Sequence, residues 1–238
     1  MDPLDDFMTT RPPSARRPLL GLTVLVVEDS RFACEAVRLL CLRSGARIRR
    51  ADSLEHAHKH LGTYRPSVLI VDVGLPDGSG LELIASCVQA TPRIDVILGT
   101  SGDAEVESAV QAAGANGFIA KPISSLSAFQ NAILQHLPQD RQPPGPRLLT
   151  DETVSPDIIA YHDDLSHVAN VIDGDTSTEN LGYVTQFLKG VARSVDDADL
   201  DTAVCALADK FARGASTPDD VISLGAMVQS RLSQVGPI

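Results

Sequence analysis

Between residues 22 and 137, short apolar runs alternate with segments of helix length. The runs are Leu22–Glu28, Ala46–Arg50, Val68–Asp72, Ile94–Gly99 and Asn116–Ala120. Three of them are nearly continuous and rich in β-branched residues, which is typical of parallel strands covered by helices on both faces. The intervening segments predict helices over Arg31–Ser44, Ser53–Thr63, Gly80–Ala90, Ala104–Ala113 and Ser124–Leu137. This alternation indicates a doubly wound α/β domain with a five-stranded parallel sheet over residues 20–138.

The pattern changes after this domain. Residues 139–150 are rich in proline, which predicts an extended linker. In residues 151–238 apolar positions recur at three- and four-residue steps, which predicts an all-α bundle of three or four antiparallel helices. The predicted helix caps are Asp157, Ser177 or Thr178, Asp196 or Asp197, and Thr217 before Pro218. Residues 1–19, rich in Pro, Arg and Asp, predict a disordered tail.

Composition narrows the function classes. No apolar run reaches the roughly 18 residues that a membrane span needs, so we expect no membrane association. The four cysteines show no CxxC spacing, which indicates reduced packing residues in a cytoplasmic protein. Residues 1–150 hold 15 Lys and Arg against 16 Asp and Glu, whereas residues 151–238 hold 5 against 15. We do not expect so acidic a segment to bind DNA, because DNA binding requires clustered basic residues.

Polar side chains follow the predicted strands at the carboxyl edge of the sheet. The first strand ends in Glu28 and Asp29, the third in Asp72, the fourth in Thr100, and the fifth shortly before Lys121. Clustered carboxylates repel one another unless a cation joins them, and all-oxygen ligation suits Mg²⁺. A carboxylate held against Mg²⁺ is a nucleophile toward phosphorus, while an ammonium and a hydroxyl group bind the phosphoryl oxygens. The pattern therefore predicts an aspartate that accepts a phosphoryl group.

These residues resemble the receiver domains of response regulators in two-component signalling. The matching strings are Val24-Leu25-Val26-Val27-Glu28-Asp29-Ser30, Val71-Asp72-Val73-Gly74-Leu75-Pro76-Asp77-Gly78, Thr100-Ser101 and Phe118-Ile119-Ala120-Lys121-Pro122. The resemblance covers about half of the chain and implies a flavodoxin-like fold. It also implies that Asp72 is phosphorylated and that Glu28, Asp29, Asp72 and the carbonyl group of Gly74 hold Mg²⁺.

The same resemblance implies the roles of three further residues. Lys121 would contact the phosphoryl group, Thr100 would move to bond it, and Phe118 would turn inward with Thr100 as a switch pair. The phosphodonor would be a histidine kinase or a histidine phosphotransfer protein. Such a domain catalyses its own phosphorylation and dephosphorylation, so we do not expect an enzyme that acts on a separate substrate.

One string in the helical half resembles the active helix of histidine phosphotransfer domains, whose pattern is His-x-Leu-Lys-Gly-x-Ala. The string is Gln186-Phe187-Leu188-Lys189-Gly190-Val191-Ala192. Gln186 stands at the place of the phosphorylated histidine, and an amide cannot accept a phosphoryl group as an imidazole does. The resemblance implies a degenerate phosphotransfer module. The alternative interpretation is a core helix in which Lys-Gly is coincidental.

Three functions for the whole chain stay open. In the first, a phosphorylated response regulator acts through protein contacts of its acidic bundle with a kinase, a phosphotransferase or a second copy in a homodimer. In the second, the chain is a phosphorelay intermediate in which a bundle histidine, His162 or His167, exchanges phosphoryl with Asp72. The third is a DNA-binding transcriptional regulator, which the scatter of the five basic residues disfavours. An aspartyl phosphatase is disfavoured, because such an enzyme needs a second aspartate two residues after Asp72, where this chain has Gly74.

Overall fold

The structure, a computed structural model, describes residues 12–146, 150–174, 178–215 and 218–234. Five parallel strands form one sheet in the order β2-β1-β3-β4-β5. Their bounds are β1 Thr23–Val27, β2 Arg47–Ala51, β3 Val68–Asp72, β4 Val96–Ser101 and β5 Gly117–Ala120. This confirms the predicted fold class, and the reversal of strand order between β1 and β3 places a crevice at their carboxyl ends.

Helices cover both faces of the sheet. They are α1 Arg31–Ser44, α2 Leu54–Thr63, α3 Gly80–Gln89, α4 Glu107–Ala112 and α5 Leu126–Leu134. Successive strand residues point to opposite faces, so Val24 and Val26 pack with α1 and α5, whereas Leu25 and Val27 pack with α2, α3 and α4. Burial on both faces explains why β1 after Thr23 and β3 before Asp72 are apolar at every position.

Local capping sets the helix bounds. Helix α1 has its predicted limits, because the Ser30 side chain accepts a hydrogen bond from the Ala33 amide and Gly45 ends the helix with a φ of 84°. The predicted fourth helix is shorter, since Asp103 caps a 3₁₀ turn over Ala104–Val106 before α4 begins. The fifth is also shorter. After Leu134 the backbone hydrogen bonds join residues three apart, as in the bond from the Leu137 amide to the Leu134 carbonyl group. This is the pattern of a 3₁₀ turn rather than of an α-helix.

The α/β domain includes residues on both sides of its predicted limits. Leu19 is fully buried and its amide donates to the carbonyl group of Ser44, so packed structure begins within the predicted tail. Residues 1–11 of that tail lie outside the described part of the chain. After the predicted linker, Val154 is buried in the same core and its amide donates to Ser124. The segment over residues 150–154 therefore packs on the α/β domain rather than opening the bundle.

Four helices follow in the described part of residues 151–238: α6 Ile158–Gly174, α7 Thr178–Ser194, α8 Ala198–Ala212 and α9 Pro218–Gln234. They share one apolar core, formed among others by Leu165, Val168, Leu188, Val191, Val204 and Val228. The predicted cap Asp197 accepts from the Leu200 amide, whereas the predicted caps at positions 177 and 217 lie outside the described residues. No described helix is long and apolar enough to cross a membrane.

Candidate acidic site and its helical cover

Three carboxylates meet at the carboxyl edge of the sheet. Glu28 and Asp29 follow β1, and Asp72 ends β3 on the neighbouring strand. One oxygen atom from each lies within 4.8 Å of the others. Glu28 is 2% exposed and Asp72 is 7% exposed. The predicted convergence of these residues is therefore present in the fold.

Lys121 lies between two of these carboxylates. Its Nζ atom is 2.7 Å from Oε2 of Glu28 and 2.8 Å from Oδ2 of Asp72. Burial works against the charged ammonium, but the attraction of Asp72 and Glu28 outweighs it and raises the pKa of Lys121. The ammonium is thus held in its charged form beside the predicted phosphoacceptor.

Burial and mutual repulsion act on the other two carboxylates. Burial raises the pKa of Glu28 well above its ordinary value, although Lys121 opposes this change. For Asp29, burial and then the charge of Asp72 raise the pKa to about 6. Removing these two carboxyl groups from water therefore costs free energy, which a bound cation would offset.

The donor set fits a divalent cation. When all three carboxylates are ionised, the one ammonium leaves two negative charges uncompensated. Gly74 begins a short hairpin, in which Gly74–Leu75 pairs with Gly78–Ser79, directly after Asp72 and Val73. Carboxylate and carbonyl oxygens are the ligands that Mg²⁺ prefers. The residues present could therefore hold Mg²⁺, with the backbone carbonyl oxygen of Gly74 as a further ligand.

Thr100 lies on the strand next to Asp72, and Phe118 lies on the strand beyond it. Thr100 pairs with Asp72 in the register of β3 and β4, and its hydroxyl group donates to the carbonyl group of Ile119 at 2.8 Å. Phe118, next to Ile119, is partly buried against the core of α2, α3 and α4. Thr100 thus connects the strand of the predicted phosphoacceptor, Asp72, to the strand of Phe118. Their movement as a switch pair stays a prediction.

Helix α7 of the bundle covers this site. The exposed side chain of Gln186 lies against Gly74 so closely that a Cβ atom at position 74 would overlap the amide group. Four residues later, a Cβ atom at Gly190 would lie 4.0 Å from Nζ of Lys121. The space enclosed between Asp72 and α7 is about 20 Å³. The helix that resembles a phosphotransfer helix therefore lies on the site of its own chain.

Tyr183 brings α7 into contact with a predicted metal ligand. Its hydroxyl group donates to Oδ2 of Asp29 at 2.8 Å and is 3.0 Å from Nε2 of His167. Burial and then the charge of Asp29 raise the pKa of Tyr183, which keeps the hydroxyl group a donor. We did not predict this role of Tyr183 from the sequence. The signal available was its spacing, since Tyr183, Gln186 and Gly190 share one face of a helix.

Asp164 of α6 provides a second contact at the rim of the site. Its carboxylate accepts hydrogen bonds from Oγ of Ser30 at 2.7 Å and from the amides of Arg31 at 2.7 Å and Phe32 at 3.1 Å. A carboxylate at the N-terminus of α1 meets unpaired amides and the positive end of the helix dipole. Asp164 is 2% exposed, and burial raises its pKa. The sequence analysis missed this residue too.

A third contact joins α7 to the loop after β4. Lys189 lies 3.2 Å from Asp103, and Arg193 donates to the carbonyl group of Gly102. The backbones approach closely there, because a Cβ atom at Gly102 would lie 3.1 Å from Cα of Gly190. Docking contacts therefore surround the acidic site at α1, at Asp29 and at this loop.

Comparison with known proteins places residues 24–133 in a family described as the response regulator receiver domain. The KDP operon transcriptional regulatory protein KdpE of Escherichia coli is 30% identical over 99 residues, which are 42% of this chain and 44% of KdpE. The virulence transcriptional regulatory protein PhoP of Salmonella typhimurium is 28% identical over 117 residues, 48% of this chain and 52% of PhoP. The chain thus spans about half the length of the curated relatives it matches.

Among solved structures, the chemotaxis response regulator CheY4 of Vibrio cholerae is 25% identical, and the match covers 42% of this chain and 87% of that protein with a TM-score of 0.40. The family match falls on the α/β half that carries Glu28, Asp29, Asp72 and Lys121. Residues 24–133 of this chain thus match the response regulator receiver domain.

Proposed function

We propose that the chain is a response regulator phosphorylated on Asp72 in a two-component or phosphorelay system. The observation that carries the proposal is the position of the Asp72 carboxylate, which lies in one cluster with Glu28 and Asp29 and 2.8 Å from the Lys121 ammonium. A phosphohistidine of a histidine kinase or a phosphotransfer protein would be the donor.

The chemistry follows from these contacts. An oxygen atom of Asp72 bonds to phosphorus while the P–N bond of the donor breaks, and the imidazole leaves with that electron pair and takes a proton from water. Glu28, Asp29, Asp72 and the Gly74 carbonyl group would hold Mg²⁺, which supplies positive charge for the phosphoryl oxygens. Lys121 then exchanges its contact with Asp72 for one with a phosphoryl oxygen.

We further propose that the bundle acts through protein contacts and does not bind DNA. All five of its basic residues have acidic or backbone partners within the chain: Lys189 with Asp103, Arg193 with Asp201 and Gly102, Lys210 with Asp220, Arg213 with the carbonyl group of Asp209, and Arg231 with Asp197. Such partners leave few cations for phosphates. A gel-shift assay of the full chain, phosphorylated or not, should show no DNA complex at moderate salt. A sequence-specific complex would instead support a transcriptional regulator.

The position of Gln186 favours this function over a phosphorelay through the bundle. The residue of α7 that reaches the hairpin after Asp72 is an amide, whereas His167 contacts Tyr183. The lability of bound phosphate separates the two functions, because an acyl phosphate is lost in base and a phosphohistidine in acid. We expect label from acetyl phosphate to be stable in acid, lost in base and absent when a chelator removes Mg²⁺. Acid-labile label on the chain would support the phosphorelay.

A further inference from the structure

We propose that α7 carries a receiver-binding surface, formed by Tyr183, Gln186, Gly190 and Arg193, that occupies the place of the phosphodonor. The bundle must then leave the receiver before Asp72 is phosphorylated. This inference rests on the proposed function, since it concerns access to the same aspartate.

The docked α7 leaves little space beside Asp72. The cavity of about 20 Å³ between Asp72 and α7 has room for about one water molecule. A donor must bring a phosphoryl group and its leaving group in line with the Asp72 carboxylate. Phe187, Gly190 and Val191 line the cavity on the bundle side, and Asp72 is buried beneath them. A donor helix and α7 therefore cannot occupy this site together.

Polar contacts hold the bundle on the receiver. Tyr183 engages one oxygen atom of Asp29, a residue that the proposed function needs as a metal ligand. Asp164 engages the N-terminus of α1, directly after Ser30, and Arg193 engages the loop after β4. Polar contacts on three sides of one acidic pocket indicate a specific fit rather than a chance contact between two halves of a chain.

Phosphorylation of Asp72 would change both the charge and the volume of the group beside Lys121. It would replace the single negative charge of the Asp72 carboxylate by about two on an acyl phosphate, and it would add three oxygen atoms beside Lys121. The cavity has no room for them while Gly190 stays next to the Lys121 side chain. Because binding linkage is reciprocal, a bundle that hinders phosphorylation is itself released when Asp72 carries phosphate.

The test compares initial rates of labelling by acetyl phosphate at fixed Mg²⁺ in the full chain. Asp164→Asn removes a charged acceptor at the N-terminus of α1. Asp164 is buried by the receiver, so this change should spare the bundle core. If labelling needs the undocked form, its rate follows the undocked fraction, and we expect a rise of about tenfold. Asp209→Asn, the same change at an exposed position of α8, is the matched control and should label at the wild-type rate.

A second variant displaces the bundle by bulk. Gly190→Leu places a side chain against Lys121 and Gly102, and it favours the helical state of α7 because glycine is a poor helix former. We expect faster labelling here as well. Wild-type rates in both Asp164→Asn and Gly190→Leu would overturn the inference and leave the proposed function intact. Absence of label from every variant, the wild type included, would refute the proposed function itself.

Discussion

The hydroxyl group of Tyr183 donates a hydrogen bond to Oδ2 of Asp29 at 2.8 Å, across 154 residues of sequence. A helix of the bundle therefore bonds to a carboxylate that the proposed Mg²⁺ site requires. Docking of the bundle and binding of the cation act on the same carboxylate.

Tyr183→Phe should strengthen Mg²⁺ binding. The change keeps the ring that packs against Phe187 and removes only the hydrogen bond to Asp29. A hydrogen bond to a charged group contributes about 1 kcal/mol or more, so we expect the dissociation constant for Mg²⁺ to fall by roughly fivefold. Calorimetric titration of the full chain measures this. Tyr64→Phe, which removes a hydroxyl group beside α2 and away from the acidic cluster, is the control. Equal Mg²⁺ affinity in wild type and Tyr183→Phe would contradict the competition.

Lys121→Ala should separate phosphorylation from switching. The acyl phosphate can still form on Asp72, but no ammonium then joins the phosphoryl group to β5, and the movement of Thr100 and Phe118 should fail. Fluorine NMR of fluorophenylalanine-labelled protein reports the surroundings of Phe118. We expect the wild-type signal to shift on phosphorylation and the variant signal to stay in place. A variant that takes up label and shows the full shift would refute this coupling.

Asp197 should make the stability of the bundle sensitive to acid. Its two carboxylate oxygens accept hydrogen bonds from Arg231 at 2.9 and 3.0 Å, and this interaction lowers the pKa of Asp197 below 3.8. A lowered folded pKa stabilises the fold above the unfolded pKa, and the contribution is lost as pH falls through the folded value. We expect Asp197→Asn to lower the free energy of unfolding by about 1–2 kcal/mol at pH 7.

The control for that measurement is the pH dependence itself. Denaturant unfolding of wild type and Asp197→Asn should give a difference that shrinks as pH falls below 3.8, because the wild-type carboxylate is then protonated as well. Asp209→Asn, at an exposed position of α8, should unfold like the wild type at every pH. A difference between wild type and Asp197→Asn that stays constant down to low pH would show that ionic contacts do not cause it.

The sequence predicted the acidic site because local rules determine it. Parallel strands joined by helices bring their carboxyl ends to one edge, so Glu28, Asp29 and Asp72 had to meet once the strands were recognised. The predicted limits of α1 are also those observed, where the Ser30 side chain caps the first turn and Gly45 ends the helix. The apolar pattern did not predict that α5 ends at Leu134, because the end of this helix depends on how the chain turns after it.

The docking of the bundle could not be predicted in this way. Asp164 and Tyr183 are unremarkable polar residues of amphipathic helices, and their partners lie more than 130 residues away in sequence. Only the packing of two folded units brings them to the acidic cluster. The likeness of α7 to a phosphotransfer helix indicated that a receiver could be its partner, but not that the receiver is the one in the same chain.

The most direct test of the central claim is the identity of the labelled residue. The full chain is incubated with labelled acetyl phosphate and Mg²⁺, beside Asp72→Asn and the control Asp77→Asn, whose aspartate accepts hydrogen bonds from the first amides of α2 instead. We expect wild type and Asp77→Asn to take up label that peptide mapping places on Asp72, and Asp72→Asn to take up none. Comparable label on Asp72→Asn would contradict the claim that this chain is a phosphoacceptor through Asp72.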